Sequence, residues 1–126
     1  MKPEFWKDRS VLVTGSSGFV GSWLVRKLEE MGAKVTRFDV ADRSGSITDY
    51  GSVYEAVEGV RTVFHLAAQS QVGKANEDPD LTFYTNVDGT CNILEACRRL
   101  GWVKQICIAS SDKSYGESPI LPYTEN

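Results

Sequence analysis

Two clusters in this chain combine residue types and spacing that could do chemistry. Residues 108–117 read IASSDKSYGE, with Asp112 and Lys113 side by side directly after Ser111. A carboxyl group next to an amine can place a proton donor and a proton acceptor on one bound molecule. Neighbouring opposite charges also suit a plain surface turn, so the pair alone leaves both readings open. Residues 14–21 read TGSSGFVG, with glycines at 15, 18 and 21. Gly15 permits a tight turn, Gly18 lets backbone approach a pyrophosphate with no Cβ in the way, and Gly21 lets a following helix pack close to a strand. The free N–H groups of such a helix start, at Ser17, Phe19 and Val20, would face phosphate oxygens.

Asp39 lies 18 residues beyond Gly21. That is close to the spacing of an acid that binds a ribose diol. Its charge repels a 2′-phosphate, which favours NAD over NADP, whereas Arg37 and Arg43 on either side weaken that preference. No Gly-Lys-Ser/Thr follows the glycines, which excludes a phosphate loop of the nucleotide-hydrolase type.

These residues need elements to position them. SVLVT (10–14) reads as a buried strand running into the glycine turn. From Phe19 a helix is expected, with Val20, Leu24, Leu28 and Met31 on one face and Gly32 as its stop. AKVTRFDV (33–40) is a second strand. Residues 41–52 are loop-rich, with a small strand around Ile47, and a short helix covers 50–58. RTVFHLAA (61–68) is a strand and 69–80 a polar loop. One long helix spans 81–100, with Val87, Cys91, Leu94 and Cys97 inward, and VKQICIAS (103–110) is the last strand, read as central. Alternating strands and helices predict an α/β fold: a doubly wound parallel sheet of the Rossmann type, with helices on both faces.

Composition is that of one globular domain: 126 residues, 41% hydrophobic, 25% charged, net charge −3. The charge gives no reason to propose nucleic acid or an anionic membrane as partner. No stretch approaches the roughly 20 apolar residues of a membrane span. The first ten residues lack a signal-peptide core, and three cysteines without metal-like spacing read as reduced thiols, so a cytoplasmic location is expected. His65, the only histidine, reads as a satisfied core residue. Trp6, Trp23 and Trp102 read as packing residues.

The Gly-x-x-Gly-x-x-Gly spacing resembles the extended short-chain dehydrogenase/reductase family of NAD-dependent epimerases and dehydratases. HLAAQS (65–70) is similar to the segment that lines the cofactor in that family, which implies contacts from Leu66, Ala67 and Ala68. NVDGTCNILEACR (86–98) resembles its central helix, and SSDKSYGE with LPYTEN its catalytic strand end and loop. Within the family, FWKDRSVLVTG, GFVGSWL and Asp112-Lys113 resemble nucleotide-sugar 4,6-dehydratases of the CDP-glucose type, and AAQS those of the GDP-mannose type. The resemblance implies that Ser111 holds a sugar hydroxyl. Asp112 would protonate the departing C6 hydroxyl. Lys113 would remove the C5 proton or orient the substrate as a cation. Asn86 would help hold the active-site strand. Where the family often has Gly-Asp-Ile/Leu, this chain has Gly45-Ser46-Ile47, leaving Ile47 to pack on adenine without the aspartate.

The resemblance further implies a nucleotide-sugar substrate and is compatible with a homodimer. The family's Tyr-x-x-x-Lys is missing from residues 1–126. Residues 1–126 are therefore expected to form the N-terminal NAD(P)-binding part of such an enzyme, truncated before the substrate domain and inactive alone. A free-standing dinucleotide-binding module, or an epimerase or reductase on the same scaffold, are the alternatives.

Overall fold

A computed structural model describes residues 3–116 and 121–124 of the chain. The apolar run Ser10–Thr14 forms β1, with Val11, Leu12 and Val13 fully buried. A run this apolar on both pleat faces needs cover on both sides and neighbours on both edges. It has both. Lys34–Phe38 (β2) pairs with it on one edge and Thr62–His65 (β3) on the other, and Gln105–Ile108 (β4) lies beyond β3. All pairings are parallel, in the order β2-β1-β3-β4. The register sets Thr14 opposite Phe38 and His65, so the segments leaving β1, β2 and β3 emerge level at one end of the sheet.

A short helix, α1 (Pro3–Trp6), precedes β1, and α2 (Phe19–Glu30) follows the glycine turn. Both cover one face, where Trp6, Val11, Val13, Val25 and Leu28 form a buried cluster. The helices α3 (Tyr50–Val57) and α6 (Gly89–Leu100) cover the other, packing Val53, Val57, Ile93 and Ala96 onto Leu12 and Val63. The sheet is thus doubly wound, as expected. Asp49 starts α3 by accepting the Gly51 N–H at 3.1 Å, and the left-handed Gly101 (φ +67°) ends α6.

Several expectations need correction. The inward face of α2 is Gly21, Val25 and Leu28, with Leu24 and Met31 half-buried against the same cluster as expected; Val20 is exposed instead. No strand forms around Ile47, which is nevertheless buried, its carbonyl accepting from Asn92 Nδ2 at 2.9 Å. The expected 69–80 loop contains α4 (Val72–Glu77). The expected 81–100 helix is present and runs continuously from Pro79 to Leu100, but a π-helical turn (Tyr84–Asp88) interrupts its α-helical spacing and divides it into α5 (Pro79–Phe83) and α6. The start signal of α5 is local: Asp78 accepts the Leu81 N–H at 2.9 Å and Pro79 takes the first helical position. Of the expected inner face of α6, only Cys97 is buried, while Val87, Cys91 and Leu94 are exposed. The contact stripe is Gly89, Ile93, Ala96 and Cys97. Small residues mark it because the helix lies close: a Cβ on Gly89 would come within 2.6 Å of Ile47 Cδ1. The last strand, read as central, is the edge strand among the described residues, and all four of its residues are exposed. Trp6 packs in the core, but Trp23 and Trp102 are largely exposed.

Candidate functional site

The level ends of β1, β2 and β3 carry three different segments. After β1 comes the glycine turn. Gly15 takes the left-handed conformation (φ +68°), and its N–H bonds the Phe38 carbonyl at 2.9 Å. A Cβ there would sit 2.8 Å from the Ala67 nitrogen, so only glycine fits. A Cβ on Gly21 would overlap the Gly15 carbonyl oxygen, which is how closely α2 sits on its own turn. Gly18 caps α2 without any side-chain hydrogen bond. The first-turn N–H groups therefore have no side-chain partner at the cap.

Between these segments runs a groove of about 650 Å³. Gly15, Gly18, Phe19, Val20 and Gly21 line it from the turn, Asp39 from the end of β2, Ile47 from the loop before α3, and Leu66, Ala67 and Ala68 from the segment after β3. Ten of the residues singled out in the sequence thus meet in one cleft. Ser17 does not line it. Its N–H donates to Asp39 Oδ2 at 2.9 Å, and its hydroxyl donates to Asp42 Oδ2 at 3.1 Å. Asp39 Oδ1 accepts the Ala41 N–H at 2.9 Å, which fixes the carboxylate at the groove rim. Arg37 is drawn away from Asp39 by Glu29, to which its guanidinium donates at 3.0 and 3.1 Å. Ser46 and Thr48 also line the groove and share a hydrogen bond of 2.8 Å between their hydroxyls.

The far wall is fixed by a chain of hydrogen bonds that the sequence did not reveal. His65 is buried, with Nδ1 2.7 Å from the Thr14 hydroxyl and Nε2 2.9 Å from the Thr90 hydroxyl. Thr90 donates its own hydrogen to the Asn86 carbonyl at 2.7 Å, so it accepts from His65 Nε2. The proton is therefore assigned to Nε2, and Thr14 donates to Nδ1. Thr14 Oγ in turn accepts the N–H groups of Leu66 and Ala67, both at 3.2 Å. Asn86 closes the chain by accepting the Gln69 N–H at 2.7 Å and donating to its carbonyl at 3.0 Å. Asn86 thus holds the 66–70 wall. Burial lowers the His65 pKa, which keeps the ring neutral.

Ser111, Asp112 and Lys113 do not line the groove. They leave β4, one strand farther from the glycine turn, and form the start of a 3₁₀ turn (Asp112–Tyr115). Ser111 Oγ caps the turn by accepting the Lys113 N–H at 3.3 Å, and Lys113 pairs with Asp112 at 3.7 Å. Both charged side chains are exposed, 83% and 57%. In the described residues the pair is a solvated turn, with nothing packed over it. The sequence also passed over Asp42 and Thr85. Asp42-x-Ser44 carried a usable signal, because an aspartate two residues before a serine favours a side-chain-closed turn. Thr85 had none, since chain distant from the turn brings it to the groove.

A wider depression of about 840 Å³ lies at the opposite end of the sheet, among Lys7, Arg9, Arg61 and Lys104. Arg9 is tied down there over the Phe5 ring and to Gln105. Among the described residues no helix is long and apolar enough to cross a membrane, and no group of His, Cys, Asp and Glu could hold a metal ion.

The chain is 34% identical to the CDP-glucose 4,6-dehydratase of Salmonella typhimurium, over 97% of this chain and 40% of that enzyme. It is also 34% identical to the UDP-glucose 4-epimerase of Corynebacterium glutamicum, over 92% of this chain and 39% of that one. Among solved structures, a UDP-glucose 4-epimerase from Brucella ovis in complex with NAD superposes with a TM-score of 0.81. It is 32% identical and matches 93% of this chain and 40% of its own. The chain thus spans about 40% of the length of the curated relatives it matches. Residues 11–126 match the NAD dependent epimerase/dehydratase family as a whole, and the chain belongs to that family.

Proposed function

We propose that this chain is the cofactor-binding part of an NAD-dependent enzyme that acts on a nucleotide-sugar, and that its reaction is a 4,6-dehydration. The observation that carries the reading is the groove at the level strand ends, with a closely packed glycine turn on one side and a fixed carboxylate on the other. Its residues fit a dinucleotide. Gly18 has only the Gly15 carbonyl oxygen near its missing Cβ, at 3.2 Å, and leaves the groove side open to a pyrophosphate. The amino end of α2 favours the negative charge. Asp39 accepts the ribose hydroxyls, Ile47 packs on the base, and Leu66, Ala67 and Ala68 form the wall behind the nicotinamide half. Bound NAD supplies a reversible hydride acceptor for the sugar C4.

Elimination then needs proton handling from the protein. Ser111 holds the sugar hydroxyl and Asp112 protonates the departing C6 oxygen. Lys113 serves the C5 proton as base or orients the sugar as a cation, and chain beyond β4 supplies the remaining groups. A 4-epimerase is the second reading, because the epimerase relative matches at the same identity as the dehydratase. Mass spectrometry of the product from the intact protein separates the two. Dehydration yields a sugar nucleotide lighter by one water, and epimerisation an isomer of unchanged mass. Asp112→Asn should abolish the loss of water while leaving NAD bound. Continued water loss at the wild-type rate would remove Asp112 from the mechanism.

A further inference from the structure

The depression at the amino ends of the strands gathers charge of one sign. Lys7, Arg9, Arg61 and Lys104 line it, and its one acid, Asp8, holds its carboxylate 3.5 Å from Lys34. Six of the other nine described lysines and arginines stand beside a carboxylate: Lys27, Lys34, Arg37, Arg98, Arg99 and Lys113. Among the described residues, none of the four in the depression does. A chain of net charge −3 thus leaves a group of uncompensated cations at one end of its sheet. Strand pairing crowds them. The Arg61 N–H bonds the Ser10 carbonyl at 3.0 Å and the Lys104 N–H bonds the Arg61 carbonyl at 2.9 Å, so β3 and β4 are each entered through a cation, side by side. Like charges on neighbouring strands oppose each other. Arg9 is fixed from the β1 side. Its guanidinium lies 3.8 Å from the Phe5 ring centroid and donates to the Phe5 carbonyl and to Gln105 Oε1, both at 3.2 Å. Those bonds use Nε and Nη1, and Nη2 has no partner among the described residues.

We propose that this depression is a second binding site, for a small anion of several charges, of the oligophosphate class. A concave surface lined by one sign of charge concentrates its counter-ion. Arg9 supplies a guanidinium already held in one orientation, whereas Lys7 and Lys104 supply ammonium groups on flexible stems. From β1 to β4 is two strand spacings, about 10 Å. A phosphate chain carries anionic oxygens along its length, so it can meet cations from β1, β3 and β4 at once, and a single monovalent anion cannot. Binding there relieves the repulsion between Arg61 and Lys104 that no internal acid relieves. The site lies at the opposite end of the sheet from the groove and does not rest on the dinucleotide reading.

Calorimetric titration of the intact protein with sodium tripolyphosphate tests this, at matched low ionic strength and with NAD at saturation so that the groove is filled. Tripolyphosphate should bind at least about tenfold more tightly than sulfate. Replacing both Arg61→Gln and Lys104→Gln, at exposed positions, should weaken it by about tenfold or more, the scale of a few lost charge-assisted contacts. Arg61→Lys with Lys104→Arg keeps the charges and should keep the binding. Lys74→Gln, which removes an unpaired cation elsewhere, should change nothing. Should the double variant fail to fold, Arg61→Gln and Lys104→Gln made singly read the same loss. Adenosine triphosphate as a second probe separates the sources of such an anion: tighter binding than tripolyphosphate supports a nucleotide with its base beside Phe5, and equal binding supports the phosphate chain alone. Tripolyphosphate held no more tightly than sulfate would mean an adventitious ion only and overturns the inference. Undiminished affinity in the folded double variant overturns it as well, and both results leave the reading of the groove untouched.

Discussion

At the residue scale, the hydroxyl of Thr14 shows how the groove wall depends on one hydrogen. It donates to His65 and accepts from Leu66 and Ala67. A protonated His65 would offer that oxygen a third donor and leave the threonine hydrogen with no acceptor. The folded chain therefore resists protonation, in line with the lowered pKa of this buried ring. The unfolded chain takes up the proton near pH ~6.5. Between the depressed folded value and ~6.5 the unfolded state thus binds more protons, so stability falls as the pH falls through that window. Thermal unfolding midpoints should drop there and level out below the folded value. The carboxylate of Glu95, held down to about 2 by hydrogen bonds from Arg98 and Arg99, contributes only at lower pH. A His65→Gln variant should lose the slope, and a flat wild-type profile across the window would contradict the assigned network. The sequence made the glycine turn legible because each glycine answers a local need. It left the Thr14–His65–Thr90–Asn86 chain illegible because its partners lie far apart along the chain, as Thr14 and His65 do.

At the element scale, α6 separates what periodicity can and cannot tell. Its existence and its stop at Gly101 follow from the sequence, but its buried stripe does not. Weight given to the large apolar residues selects Val87, Cys91 and Leu94. The observed stripe includes Gly89 and Ala96, whose small size is what close packing on Ile47 and the sheet requires. The π-helical turn at Tyr84–Asp88 adds a residue to the spacing, so a register carried forward from residue 81 arrives rotated. Two adjacent truncations test the stripe. Ile93→Ala should cost about 2–5 kcal/mol in chemical denaturation, as for a buried aliphatic side chain. Leu94→Ala, at a 41% exposed position, should cost less than about 1 kcal/mol. Equal costs would mean that the helix packs on a different face.

At the scale of the whole molecule, the two sides of the sheet end differently. β2 is covered by α2 on one face and carries mostly polar residues, whereas β4 presents Ile106 and Ile108 about 40% exposed at an edge that no described strand pairs. An open apolar edge is a template for pairing with another chain. The 126-residue chain alone should therefore associate in a concentration-dependent way in sedimentation experiments, and Ile106→Lys should shift it toward the monomer. Monomer at all concentrations without the substitution would show the edge to be harmless. The parallel sense of the strands was legible from alternation alone. The edge position of β4 was not, since an apolar run looks the same in the middle of a sheet and at its rim.

The level register of β1, β2 and β3 has a last consequence. The cleft takes its walls from residues 15–21, 39–48 and 66–70, stretches that meet only when three strands have closed side by side. Half-formed structure has no such cleft. A molecule that grips all three walls can recognise only the finished fold, and by mass action it will hold the chain there. Occupancy would then serve as a gauge of how much of the population is native.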